Sequence, residues 1–145
     1  LFEKASYVKQ QIISLDDIYT IDQVVVEENL QAFRPGLSSA KTLMTLAQFN
    51  GVVRWICHER LEVPVKAINV NSARKSVGLK IDRKNKEKNT KQQVLEWVAS
   101  DNPNIEWPTK ILKSGPNKGK QRMCNEAYDM ADAYVIAKSF LVENF

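Results

Sequence analysis

Histidine, cysteine and long apolar runs are scarce in this chain of 145 residues. His58 is the only histidine, which excludes metal centres built from several imidazoles. The two cysteines, Cys57 and Cys124, have neither a CxxC partner nor a histidine at metal-ligand spacing, so we expect buried or idle thiols in a reducing compartment. No apolar run approaches the roughly 20 residues that cross a bilayer, so no membrane partner is expected. Any bound metal would have carboxylate ligands.

The charge of the chain is unevenly distributed. The hydrophobic content of 43% and the charged content of 26% are those of one folded domain, and the net charge is only +4. Residues 66–91 nevertheless carry a local charge of +7 and residues 110–122 carry +5, which leaves −8 for the rest of the chain. Two basic segments on an acidic body favour a polyanionic partner, although a solvated surface loop explains either segment alone equally well.

The apolar spacing predicts an α/β fold. We expect helices over residues 1–15, 39–60, 73–79, 91–99 and 125–142, and strands over residues 23–27 and 63–70. The three valines at 24–26 are typical of a strand buried on both faces of a sheet. Two strands do not readily form a stable covered sheet, which predicts a further N-terminal portion of the fold.

Several segments depart from these regular patterns. Gly51 lies inside the second helix, where it costs about 1 kcal/mol relative to alanine, so we expect another helix to approach it closely. Residues 80–90 form a charged linker without an apolar period. Residues 101–120 are rich in proline and glycine and are expected to be irregular, as segments with a functional role often are.

Three carboxylates are candidates for chemistry. Asp129 and Asp132 are three residues apart in the last helix, so they project from one face about one turn apart. A solvated pair near a helix N-terminus explains them equally well on their own. Glu27 ends the first strand, at the sheet edge where α/β proteins bind ligands. Together the three acids predict a divalent-metal phosphodiesterase centre, because Mg²⁺ and Mn²⁺ prefer such oxygen ligands.

Two segments resemble the RuvC-type Holliday junction resolvases of the ribonuclease-H-like superfamily. They are VVVEEN at residues 24–29 and YDMADAYVIA at residues 128–137, with a strand that leads into Ala73-Arg74-Lys75 between them. The resemblance implies a ribonuclease-H-like mixed sheet flanked by helices, in a single nuclease domain over residues 1–145 that lacks its N-terminal β-hairpin region. It also implies a cytoplasmic homodimer that cuts four-way DNA junctions by two-metal-ion hydrolysis, with helix 39–60 at the dimer contact.

The resemblance also assigns roles to individual residues. The metal ligands would be Glu27, Asp129 and Asp132, holding two Mg²⁺ ions or Mn²⁺ in their place. Lys75 and Lys91 would lie near the scissile phosphate. The remaining DNA contacts would be Phe33, Arg34, Arg74, Lys80, Lys84, Lys113, Lys118 and Lys120. For Phe33 an ordinary surface or core aromatic is an equally good explanation.

Three features differ from the family pattern. The first catalytic aspartate of the family lies ahead of the first helix and has no counterpart from Leu1 onward, and Tyr134 stands where some relatives have a histidine. The basic stretch 107–122 is longer than in cellular bacterial members and resembles phage or viral versions. These differences leave two alternatives open, a non-catalytic module that binds branched DNA and a nuclease that also cuts forks or flaps. A transposase core is disfavoured because nothing extra is appended.

Overall fold

A computed structural model of the chain describes residues 1–28 and 39–145. These residues form five helices and four strands, so the mixed α/β character is confirmed, whereas the ribonuclease-H-like arrangement stays a prediction. The elements are α1 (Phe2–Asp16), β1 (Val24–Glu27), α2 (Ala40–Leu61), β2 (Val65–Ile68), α3 (Val70–Ser76), α4 (Thr90–Asp101), β3 (Thr109–Ile111), β4 (Gln121–Met123) and α5 (Asn125–Asn144). None of the helices in these two ranges is long and apolar enough to span a membrane.

The described residues divide into two compact units, Leu1–Asn69 and Val70–Phe145. In the first unit, β1 and β2 pair in parallel from Val24 opposite Val65 to Glu27 opposite Ile68. Helix α2 packs against β2, and α1 packs against α2. The valines of β1 are only half-buried, so the prediction that they are buried on both faces is wrong. In a two-stranded sheet every strand is an edge strand, which leaves these side chains with neighbours on one side only.

Helix α2 begins at a side-chain cap. The Ser39 hydroxyl accepts a hydrogen bond from the backbone N–H of Thr42 at 3.1 Å, which satisfies one of the free donors of the first turn. Ile56 and Cys57 are buried, and burial raises the pKa of the Cys57 thiol. A Cβ atom placed on Gly51 would meet nothing within 4 Å, so the predicted close approach of another helix is not found in this unit.

The second unit is built around one row of small side chains on α5. Ala127, Ala131, Val135 and Ser139 lie four residues apart and are all 0% exposed. Their small size lets α3 and α4 pack closely against this face of α5. The buried Ser139 hydroxyl is satisfied because it donates to the carbonyl of Ile136 at 2.9 Å.

A charged cluster fastens α4 to α5 at the edge of this core. The Lys138 ammonium binds both carboxylate oxygens of Asp101, and the Tyr134 hydroxyl donates to Asp101 at 2.7 Å. Lys138 also lies 5.4 Å from the centre of the Trp97 ring. The hydrogen bonds from Lys138 and Tyr134 hold the pKa of Asp101 below its ordinary value. The contact is therefore complete above the ordinary carboxyl pKa and is lost only as the pH falls through the lowered value.

Two elements differ from the sequence-based expectation. Helix α3 begins at Val70 and ends at Ser76, three residues earlier than predicted. The stretch expected to be irregular contains β3, which pairs antiparallel with β4 from Thr109 opposite Met123 to Ile111 opposite Gln121. Strands of three residues are too short to show a period-two pattern, so the sequence gives no signal for this hairpin.

Candidate nucleic-acid interface

The turn after α3 determines where the following basic residues lie. Gly78 has a φ of +76°, its N–H donates to the carbonyl of Lys75 at 3.1 Å, and the N–H of Leu79 donates to the carbonyl of Arg74 at 2.9 Å. This is a Schellman motif, whose left-handed position favours glycine. Leu79 is only 8% exposed and anchors the turn in the core, so the chain after it runs back beside α3.

The segment 80–89 that follows is a hydrogen-bonded loop. The Gln93 side chain accepts from the N–H of Asp82 at 2.9 Å and donates to the carbonyls of Asp82 and Lys88 at 2.9 and 3.0 Å. The Asp82 carboxylate accepts from the N–H of Lys84 at 2.9 Å, as in an Asx turn. These bonds fasten the predicted linker to α4, so its cations have defined positions.

A basic pocket of about 340 Å³ lies where the loop returns to α3. Four of its lining residues are cations, and none is an aspartate or glutamate. The lining consists of Asn71, Arg74, Lys75, Gly78, Leu79, Lys80, Ile81 and Arg83. Such a pocket attracts an anion, because Lys75, Lys80 and Arg83 have no ion pair among the described residues. Sequence reasoning missed Arg83, since its place depends on the left-handed turn at Gly78.

Arg74 joins this basic pocket to helix α5. One of its guanidinium nitrogens lies 2.6 Å from Oδ1 of Asp132, and the two side chains are 13% and 18% exposed. A second guanidinium nitrogen donates to the Asn71 side chain at 3.5 Å, whereas the buried Nε has no hydrogen-bond partner among the described residues. Ala73, the residue before Arg74 in α3, is buried in the core. Arg74 therefore lies where α3 meets the surface of α5. The second predicted acid of the α5 motif is therefore in direct contact with the pocket.

Asp129 and Asp132 are the predicted metal ligands on α5. Asp129 is exposed and Asp132 is half-buried, and both present hard carboxylate oxygens from neighbouring turns of α5. The guanidinium of Arg74 already occupies Oδ1 of Asp132, so a divalent ion bound there would share or displace that contact. Within residues 1–28 and 39–145, no group of three or more His, Cys, Asp or Glu side chains is arranged to hold a metal. Met130 and Ala137 of the same helix are exposed because they lie off the row of small side chains.

The other predicted site residues lie in several places. Glu27 is at the end of β1 in the first unit, where its carbonyl accepts from the Asn50 side chain at 3.0 Å. Lys91 is exposed in the first turn of α4. Lys113, Lys118 and Lys120 lie in the connection between β3 and β4. Phe33 and Arg34 lie outside the described residues.

Comparisons with known proteins identify no relative: no protein-family model, no curated protein and no solved structure matches this chain. The similarity to junction resolvases thus stays a prediction that depends on the two sequence motifs.

Proposed function

We propose that the protein is a Mg²⁺-dependent endonuclease that cleaves branched DNA, with the four-way junction as its substrate. The observation that carries the proposal is the contact of Arg74 with Asp132, because it brings a predicted metal-binding carboxylate to the wall of the basic pocket. Metal-dependent phosphodiester hydrolysis uses this pair of functions side by side, one that holds the phosphate and one that supplies a divalent cation.

The residues of the second unit divide these tasks. Lys75 and Lys80 supply point charges for a phosphate, whereas the planar guanidinium of Arg83 can donate two parallel hydrogen bonds to its oxygens. Asp129 and Asp132 would hold Mg²⁺, which activates the attacking water and stabilises the leaving oxygen. Glu27 remains a predicted ligand from the family resemblance alone. The ribonuclease-H-like fold and the cytoplasmic location belong to the same proposal.

The proposal is tested with the protein that carries this sequence and an end-labelled four-way junction. We expect cuts in the junction in the presence of Mg²⁺, no cuts in chelator, and no cuts in a linear duplex of the same sequence. Equal cutting of forks and flaps would instead identify the broader nuclease. Binding of the junction without any cleavage in Mg²⁺ or Mn²⁺ would overturn the enzymatic proposal.

A non-catalytic module that binds branched DNA is the second candidate. The observation in its favour is again Arg74, because its guanidinium already neutralises Asp132 and could serve in place of a metal ion. Such a module would bind junction DNA with the usual strong dependence on salt, and Mg²⁺ would lower its affinity as other added salt does, never raise it. An affinity that rises with Mg²⁺, and only while Asp132 is present, would exclude it.

Helix α2 is the proposed contact of a homodimer. Met44, Gly51 and Trp55 share one of its faces, and the Met44 and Trp55 side chains are 63% and 61% exposed. An apolar depression of about 450 Å³ adjoins the same face, between Phe2 and Trp55. The open surface at Gly51 would let the α2 helix of a second copy cross closely. A two-fold dimer would place two identical sites on opposite strands of a two-fold junction.

Trp55→Glu is expected to convert this dimer into a monomer. A buried tryptophan at the centre of an interface contributes about 2 kcal/mol or more, so we expect the dimer dissociation constant to rise by about 30-fold or more. Sedimentation velocity over a range of concentrations measures the change. Leu141→Glu is the matched control, because Leu141 is an equally exposed apolar residue on α5. Dimers of unchanged stability in Trp55→Glu would exclude this face as the contact.

A further inference from the structure

The hairpin of β3 and β4 is a short and well-defined ribbon in the second unit. Its base is closed by the N–H of Cys124, which donates to the carbonyl of Pro108 at 2.9 Å. The Gln121 side chain donates to the Thr109 hydroxyl at 2.6 Å across the two strands. Pairing continues one step beyond the strands, because the N–H of Leu112 donates to the carbonyl of Lys120 at 3.0 Å. The ribbon is thus held along its whole length.

The connection at the tip of the ribbon also has fixed turns. Gly115 and Gly119 have φ values of +80° and +84°, a region that favours glycine. The N–H of Lys118 donates to the carbonyl of Gly115 at 3.1 Å, and the N–H of Lys120 donates to the carbonyl of Asn117 at 3.0 Å. Two consecutive turns therefore fix the backbone that carries the lysines of the tip.

The charges on the ribbon are arranged unfavourably for the free protein. Lys110 lies directly opposite Arg122 in the antiparallel register, so two cations share one face of a cross-strand pair. Like charges in this position destabilise a hairpin. Lys120 lies two residues before Arg122 in the chain, so its side chain extends the same face. Five cations and no acid occur in residues 110–122, and none of the five has an ion pair within the described part of the chain.

The spacing of these cations matches a nucleic-acid backbone. Residues two apart in an antiparallel strand rise by about 6.8 Å, so Lys120 and Arg122 can reach different phosphates of a duplex. A two-stranded ribbon is also narrow enough to enter the major groove, which is about 12 Å wide. An anionic membrane fits less well, because the exposed apolar side chain of the ribbon, Ile111, alternates away from the face of Lys110 and Arg122.

We propose that this hairpin is a β-ribbon that lies in the groove of a DNA duplex, with Lys110, Lys120 and Arg122 on its phosphates. The inference deepens the proposed function, on which it rests for DNA as the partner, and it assigns the hairpin to a duplex arm of the substrate. It adds Lys110 and Arg122 to the DNA contacts predicted from the sequence. Like-charge repulsion in the free ribbon would be offset when the phosphates of the duplex lie against it.

The test measures binding to a linear duplex of about 25 base pairs by fluorescence anisotropy over a series of salt concentrations. In Lys110→Gln/Arg122→Gln we expect affinity at 0.1 M salt to fall by roughly 10- to 60-fold, because each lost phosphate contact removes about 0.9 from the slope of log K against log salt. Lys4→Gln/Lys9→Gln is the matched control, because it removes the same charge from exposed positions of α1 and should leave the slope unchanged. Equal slopes in the two double variants would overturn the proposal.

Two further ligands distinguish the groove from other anionic surfaces. An equal loss of affinity for single-stranded DNA of the same length would assign the hairpin to a single strand and overturn its placement in the groove of a duplex. A loss of binding to vesicles of phosphatidylserine and phosphatidylcholine, with duplex affinity unchanged, would assign it to a membrane surface. We expect neither, and only the affinity for the duplex should change by the full amount.

Folding and cleavage are measured separately from duplex binding. The double variant should melt at or above the temperature of the wild type, because it removes opposed like charges. If it melts lower, Lys120→Gln gives the same test without altering the strands, with a predicted loss of about 0.9 from the slope. A protein that never cuts junctions but loses duplex affinity in these variants would retain the ribbon and lose the proposed cleavage function. Cleavage of junctions with duplex affinity unchanged in these variants would retain the proposed cleavage function and overturn the ribbon.

Discussion

Replacing Asp132 with asparagine is expected to reduce junction cleavage by about 100-fold or more, because even the outer-shell partners of a metal commonly contribute 10- to 100-fold. The amide keeps the shape of the carboxylate and can still accept a hydrogen bond from Arg74, but it is a poor ligand for Mg²⁺. Junction affinity in the absence of metal should change by less than about threefold, since the cations of the basic pocket are all retained. Cleavage of the labelled junction under single-turnover conditions and a gel-shift titration measure the two effects.

Two control variants separate this effect from loss of structure. Glu126→Gln removes an exposed acid from the first turn of the same helix and should cleave as the wild type does. Asp101→Asn breaks the cluster of Lys138 and Tyr134, so it should lower the urea midpoint but leave the cleavage rate of the folded protein unchanged. Near-normal cleavage by Asp132→Asn would contradict the metal assignment and leave the basic pocket as a binding site only.

Replacing Arg74 with methionine is expected to lower the free energy of unfolding by about 1–3 kcal/mol, because the variant leaves the half-buried Asp132 carboxylate without its partner. Methionine retains most of the apolar stem, so lost packing contributes little. The double variant Arg74→Met/Asp132→Asn should be more stable than the sum of the two single changes predicts, by about 1–2 kcal/mol. Urea denaturation of the four proteins measures this coupling.

Lys75→Met is the matched control for this cycle. Lys75 is the next residue of α3, lines the same pocket and is exposed, so its replacement should change the unfolding free energy by less than about 0.5 kcal/mol. If the Arg74 and Asp132 changes are strictly additive, the ion pair does not contribute to stability. In that case the contact with Arg74 would not explain why Asp132 lies at the basic pocket.

Periodicity predicted the long elements of this protein well. The four helices of 12 or more residues lie close to their expected ranges, because helical spacing over that length is a strong local signal. Strands β1 and β2 were also expected, over residues 23–27 and 63–70. The three-residue strands of the hairpin were not, since their pairing depends on the turns at Gly115 and Gly119.

The site was predictable in its residue types but not in its connections. The acids of α5 and the cations after α3 stand out in the sequence, and the basic segment 66–91 contains all four cations of the pocket. The contact between Arg74 and Asp132 joins residues 58 positions apart and follows from the packing of α3 on α5. No local pattern encodes a contact over that separation. The role of Arg83 likewise required the reversal of the chain at Gly78.

The three hydrogen bonds of Gln93 have a consequence for how the pocket loses its shape. Because a side chain from the first turns of α4 holds the backbone of loop 80–89, the arrangement of Lys80 and Arg83 depends on the integrity of that helix. Val94, the next residue, is 1% exposed and belongs to the core of the unit. The basic pocket and the core therefore form one cooperative unit. Amide hydrogens in loop 80–89 should exchange together with those at the start of α4 rather than ahead of them.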